Sequence, residues 1–222
     1  MPRAPTGPRR PEPGAPLTPA HALARAAGPA VRGLDALLVR AYGLRSVDGE
    51  GPGCRGQGLR IRRRALRHTL VLHGTTLPAG TPSVELHLCN ERAPEPGTRE
   101  GAARRATRLL VRYRRSCRAV ARLLRDDPAF ADARALGGVT ALFGGAGGHG
   151  GAARLPRHLG FEVLPHRPRG GGLGLFFERC YAWCLLAAFT PGSLQGRRFG
   201  DLAFIEVWMT REDFLARFGP AG

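Results

Sequence analysis

Residues 83–89 read Ser-Val-Glu-Leu-His-Leu-Cys, and residues 104–125 read Arg-Arg-Ala-Thr-Arg-Leu-Leu-Val-Arg-Tyr-Arg-Arg-Ser-Cys-Arg-Ala-Val-Ala-Arg-Leu-Leu-Arg. The first stretch alternates with period two. Val84, Leu86 and Leu88 share one face, and Glu85, His87 and Cys89 share the other, which is the pattern of a half-buried strand. The second has the helical period. Ala106, Leu109, Leu110, Tyr113, Cys117, Val120 and Leu124 fall on one arc, while Arg104, Arg108, Arg112, Arg115, Arg118, Arg122 and Arg125 fall on the opposite one. This spacing predicts a helix over residues 98–125, stopped by Pro128.

Working outward, Val31, Leu34, Leu37, Leu38, Ala41 and Tyr42 predict a helix over residues 29–44. A Gly/Asp-rich break at 46–58 precedes β-rich runs at 59–62 and 68–73. Pro78 and Gly80 mark a turn within 74–81 that leads to the strand at 83–89. Beyond the long helix come a strand at 135–143, a short helix at 152–158 and a strand at 161–164. Residues 173–189 are almost wholly apolar, interrupted by Glu178 and Arg179. At 1.5 Å per residue that run is about 25 Å long, against ~30 Å for a bilayer core, so a central core helix is expected rather than a transmembrane segment. The end is a strand at 202–208 and a helix capped by Thr210, with Asp213 in a variant capping box and Met209 and Phe214 as a staple. Phe214 and Phe218 stack at i,i+4, and Gly219-Pro220 stops the helix. The predicted fold class is α+β, a single domain over residues 29–222 with a mixed sheet of about five or six strands and packed helices. Residues 1–28, rich in Pro and Arg, are expected to be a disordered tail, or the product of a misassigned start, and they lack the apolar core of a secretory signal.

The formal net charge is +17. There is no lysine, so the formal positive charge is all arginine; Asn90 is the only asparagine, and Ile61 and Ile205 are the only isoleucines. Arginine, alanine, glycine and proline have GC-rich codons, so the composition points to a high-GC bacterial genome. The charge therefore divides between coding bias on solvated positions and affinity for a polyanionic partner. Five cysteines without a C-x-x-C or zinc spacing suit reduced thiols and a cytoplasmic location.

Four groups could carry chemistry. Glu85, His87 and Asn90 place a carboxylate beside an imidazole at a strand end, which suits proton transfer; they equally suit an exposed sheet face ending in an Asn turn. Glu206 shares its strand face with Leu202, Phe204 and Trp208. A carboxylate there is functional, or it sits at an edge or pairs with an arginine. The glycine run 144–151 could hold a phosphate, with His149 as a donor, but it has no G-K-[ST] and suits a low-complexity insertion. The arginine stripe of helix 98–125 could track phosphates or simply face solvent. Trp208 and His149 are the ligand-binding candidates. No Ser-His-Asp set, metal site or cofactor motif is predicted.

Four short motifs occur in order: Val84-Glu85-Leu86-His87-Leu88-Cys89-Asn90, Gly138-Val139-Thr140-Ala141-Leu142, Leu159-Gly160-Phe161-Glu162-Val163 and Glu206-Val207-Trp208-Met209-Thr210-Arg211. Together they resemble the YkoP-like family of bacterial proteins over residues 30–219, with the glycine run departing from the family pattern. That domain is also found attached to polysaccharide deacetylases. The resemblance thus implies an envelope-polysaccharide context, a polysaccharide or anionic ligand, and a partner in the deacetylase pathway. It supplies no catalytic residues. The Thr-Phe-Asp-Asp run and the H-x-x-x-H pair of a deacetylase are missing. Residues 152–163 also resemble the late helix and strand of GNAT acyltransferases, without their pyrophosphate loop. The expected function is an accessory or binding module rather than an enzyme. The alternatives are an acyltransferase using Glu85, His87 and Glu206, and a nucleic-acid binder using the arginine stripe.

Overall fold

The alternation at residues 83–88 becomes an interior strand of a sheet. A computed structural model describes residues 19–47, 59–88, 102–143, 153–194 and 197–220. Among these the strands are β1 (Arg45–Ser46), β2 (Leu59–Ala65), β3 (Leu70–Leu72), β4 (Thr75–Leu77), β5 (Pro82–Leu88), β6 (Ala135–Phe143), β7 (Glu162–Pro165) and β8 (Leu202–Thr210). The helices are α1 (Pro19–Ala41), α2 (Ala102–Asp126), α3 (Arg154–His158), α4 (Gly171–Phe189) and α5 (Arg211–Phe218). Six strands form one sheet in the order β1-β2-β5-β6-β8-β7. Only β5 and β6 pair in parallel; the other neighbours are antiparallel, so the sheet is mixed and the fold is α+β, as the sequence predicts. A parallel pair needs a long crossover, and α2 lies within it. Residues 1–18, Cys54, Cys89, Asn90 and the glycine run with His149 lie outside the described residues, as do the first positions of the predicted helix 98–125.

One face of the sheet carries the main core. Cys117, Val120 and Leu124 of α2 pack on Leu59, Ile61, Val84, Leu136, Ile205 and Val207, and Phe214 and Phe218 of α5 complete the layer. Each such side chain is worth about 1.5–3 kcal/mol on full burial. Burial pushes the Cys117 thiol up to about 12, which makes it an inert core residue. The cap of α5 forms as predicted: Thr210 Oγ accepts from the Asp213 amide at 3.1 Å, and the Phe214 and Phe218 rings lie 4.8 Å apart.

The other face is covered differently. β3 and β4 form a separate hairpin, and part of the predicted turn 74–81 is thus strand. The chain reverses at His73 and Gly74, with φ of 45° and 82°, the two positive values that suit a tight hairpin turn. Leu66, Leu70, Leu72 and Leu77 then bury Ala135 and Trp208 in a smaller cluster. Gly137 lies opposite Trp208 in the register, and the indole rests on its Cα.

Two helices depart from expectation. α1 begins at Pro19, inside the stretch assigned to a tail. The Ala-rich run 20–27 has high helix propensity, and a first-position proline lacks only an N–H that would have no helical partner. α4 is not a central core helix, because none of its residues is buried. It packs antiparallel along α1, with Tyr181 donating to Asp35 at 2.9 Å and Arg32 to the Ala188 carbonyl at 3.0 Å. By length and composition alone, α4 is long and apolar enough to cross a membrane.

The seat of Trp208 is testable. A Cβ at Gly137 would meet the Val207 carbonyl oxygen and come within 2.6 Å of the Trp208 ring. Gly137→Ala should cost about 2 kcal/mol or more in urea unfolding. Gly33→Ala, in α1 with open space around it, should be neutral or stabilising by up to ~1 kcal/mol. Equal effects would mean that Trp208 does not sit where described.

Candidate functional site

Alternation sends Glu85 and His87 of β5, and Glu206 and Trp208 of β8, to the sheet face turned away from α2. β6 lies between the two strands. Its residues opposite them are small, Gly137 beside Glu85 and Trp208, and Val139 beside Glu206. A cleft opens there, lined among others by Arg64, Arg67, His68, Glu85, Val139 and Glu206, with a cavity volume of about 30 Å³. That admits about one or two water-sized groups. Glu85 and Glu206 thus share one cleft, but each belongs to its own ionic cluster.

The Glu85 cluster comes from register. Arg62 stands directly across from Glu85 on β2 and donates through Nε at 2.6 Å. Arg64 reaches the same carboxylate at 3.3 Å, and His87 Nε2 lies 3.5 Å away without a well-formed hydrogen bond. Partial burial opposes ionisation, but the His87 and Arg62 contacts outweigh it and hold Glu85 at about 2.

The Glu206 cluster is tighter. This side chain is on an interior strand and the residue is 3% exposed, so an edge position is ruled out. Its Oε1 accepts from the Arg167 amide at 3.2 Å and faces His166 Nδ1 at 3.5 Å. Its Oε2 accepts from Trp208 Nε1 at 3.0 Å and faces His68 Nε2 at 3.3 Å. The partners are thus histidines, an indole and a backbone amide rather than an arginine side chain. Burial works against the charge, yet the His166 contact, without a well-formed hydrogen bond at Nδ1, and the Trp208 hydrogen bond bring Glu206 to about 2. His166 also bonds Glu178 of α4 through Nε2 at 2.6 Å. Burial disfavours its charged form, but the two carboxylates prevail and raise its pKa.

Trp208 is buried under the hairpin, so it presents an edge to the cleft rather than an open stacking surface. Six of the seven stripe arginines are exposed on α2, across the sheet from the cleft, and Arg112 is half-buried. Asn90 and His149 lie outside the described residues. Sequence reasoning missed His68, His166 and Arg167, which sit in connections and carry no periodic signal. Glu178 did have one, as the only carboxylate in the apolar run. Among the described residues no three or more His, Cys, Asp or Glu side chains are placed to hold a metal.

A family model for the YkoP domain matches residues 31–218. No curated protein and no solved structure matches the chain.

The two carboxylates set an acid limb. Their ordinary value is 4.5, so their contribution to stability is complete above about pH 4.5 and is lost as pH falls toward 2. His166 works in the opposite sense: its contribution is complete below its ordinary 6.5 and is lost as pH rises through its raised value. Glu206→Gln should flatten the limb between pH 5 and 2 in denaturant titrations and cost about 3 kcal/mol at neutral pH. An unchanged limb would remove Glu206 from this role.

Proposed function

The chain belongs to the YkoP family, and from that premise we propose that it is a non-catalytic accessory module of envelope-polysaccharide metabolism, one that holds an anionic substituent of the polymer in the cleft between β2 and β8. The observation that carries this reading is Arg67. It lines the cleft, and no carboxylate comes within ion-pair reach of it among the described residues. Partial desolvation comes first, then the positive charges of Arg169 and Arg64, and together they push its pKa down, while Glu178 and Glu206 compensate only from farther off. A guanidinium in that position gains from an incoming carboxylate or phosphate. The cleft is too small for a sugar ring, so the polymer would lie across the surface and insert one charged group.

An acyltransferase reading has less to draw on. A general base works best with a pKa near the operating pH. Glu85 and Glu206 are held at about 2, and the oxygens of Glu206 are engaged by donors on both sides. A nucleic-acid reading would use the α2 stripe, which faces away from the cleft.

Pull-down on an array of uronic-acid, phosphate-bearing and neutral glycans tests the proposal. The protein should retain anionic glycans above a charge-matched control protein, and binding should weaken with salt. Arg67→Ala should lower retention about tenfold, the loss of one charged hydrogen bond, whereas Arg118→Ala on α2 should leave it unchanged. No enrichment over the control, or equal losses in both variants, would end this reading.

A further inference from the structure

α4 is apolar nearly all round and carries only two charges. Its two charged residues turn toward the domain: Glu178 bonds His166 at 2.6 Å, and Arg179 Nε donates to the Leu202 carbonyl at 3.0 Å. Three of its large apolar side chains turn out, with Leu173 69%, Phe177 62% and Phe176 51% exposed, while Trp183 and the leucines that follow it are half-buried. Monomeric proteins rarely leave such a group of aromatic and aliphatic side chains in water without a use for it.

The charges around the patch indicate what covers it. Arg32 and Arg40 on α1, Arg167 and Arg169 ahead of α4, and Arg197 and Arg198 after it are all exposed. The only acids on the two helices are Asp35, which is buried and bonded to Tyr181, and Glu178, which is engaged by His166. Asp201, whose carboxylate accepts from the Arg198 amide, is also exposed after α4, so the six arginines give the apolar surface a net cationic border. A second copy would bring two such borders together in a chain of net charge +17, and repulsion opposes that. An anionic lipid surface accepts both features, because headgroups attract the arginines and the acyl boundary takes the rings.

We propose that the α1–α4 pair docks on anionic membrane surfaces, with α4 lying flat and Leu173, Phe176 and Phe177 entering the headgroup boundary. The helix does not span. α1 occupies one flank, and Glu178 and Arg179 tie another to the sheet. The site adjoins the cleft, since Arg169 and Glu178 both act on Arg67, but none of its outward apolar side chains lines the cleft and the proposal does not rest on the glycan reading.

Co-sedimentation with vesicles tests it, using phosphatidylcholine alone and phosphatidylcholine mixed with phosphatidylglycerol. The chain should bind the mixed vesicles and not the neutral ones. Net charge alone would produce that difference, so the decisive comparison is between variants. Leu173→Ser with Phe177→Ser, both at exposed positions, should lower binding at least about tenfold with an unchanged thermal transition. Arg118→Ala, on α2, should bind like the parent. Undiminished binding by the double variant would overturn the proposal. So would a concentration-dependent dimer in sedimentation equilibrium that the double variant abolishes, which would assign the face to a second copy.

Discussion

A carboxylate buried inside a sheet must be met by donors on all sides, and Glu206 draws them from separate parts of the chain. His68 comes from the connection between β2 and β3, His166 and Arg167 from the connection after β7, and Trp208 from β8 itself. His166 passes the link on to Glu178 of α4. One charge thus fixes where the hairpin, the β7 connection and α4 sit on the second face. The first face needs no such device, because α2 and α5 cover it with aliphatic and aromatic side chains. The two faces are held by different physics: non-directional burial on one, and a directed network that tolerates few substitutions on the other.

The same contrast orders the polar residues of the cleft. Glu85 is neutralised within the sheet by Arg62, its cross-strand partner, and by Arg64. Glu206 is met instead by two imidazoles, the Trp208 indole and the Arg167 amide. Both negative charges are therefore turned to structural use, and the positive charge of Arg67 is left facing the opening. Both carboxylates are thus committed to partners within the domain.

Most of the fold was legible because it rests on local rules. Alternation located β5, the helical period located α2, and the Thr210 cap located α5 to within a residue. The failures also have physical causes. The proline-rich composition of residues 1–28 masks the helix-favouring alanines of residues 20–27, where the first turns of α1 lie. An all-apolar run was read as burial on every side, the ordinary inference, but α4 turns its few charges inward. Strand parity alone assigns Glu85 and His87, and Glu206 and Trp208, to the faces they take in the sheet. Their partners do not follow from it, since parity says which face a residue takes and nothing about which loops arrive there. Glu178 was visible only as an interruption, and its role follows from His166, which sits in a connection.

Codon composition bears on the charge in a limited way. It accounts for arginine in place of lysine, because their codons differ in GC content. It does not distribute charge in space. Aspartate and glutamate are available to the same genome, and seventeen of them occur in the chain. On α1 and α4 the only two are Asp35 and Glu178, and both are consumed by partners within the domain. Coding bias would scatter arginine over solvated positions without removing the acids beside it. The coincidence of outward apolar side chains, bordering arginines and no free carboxylate on one helix pair is a property of placement, and placement is what a surface that meets an anionic, apolar phase requires.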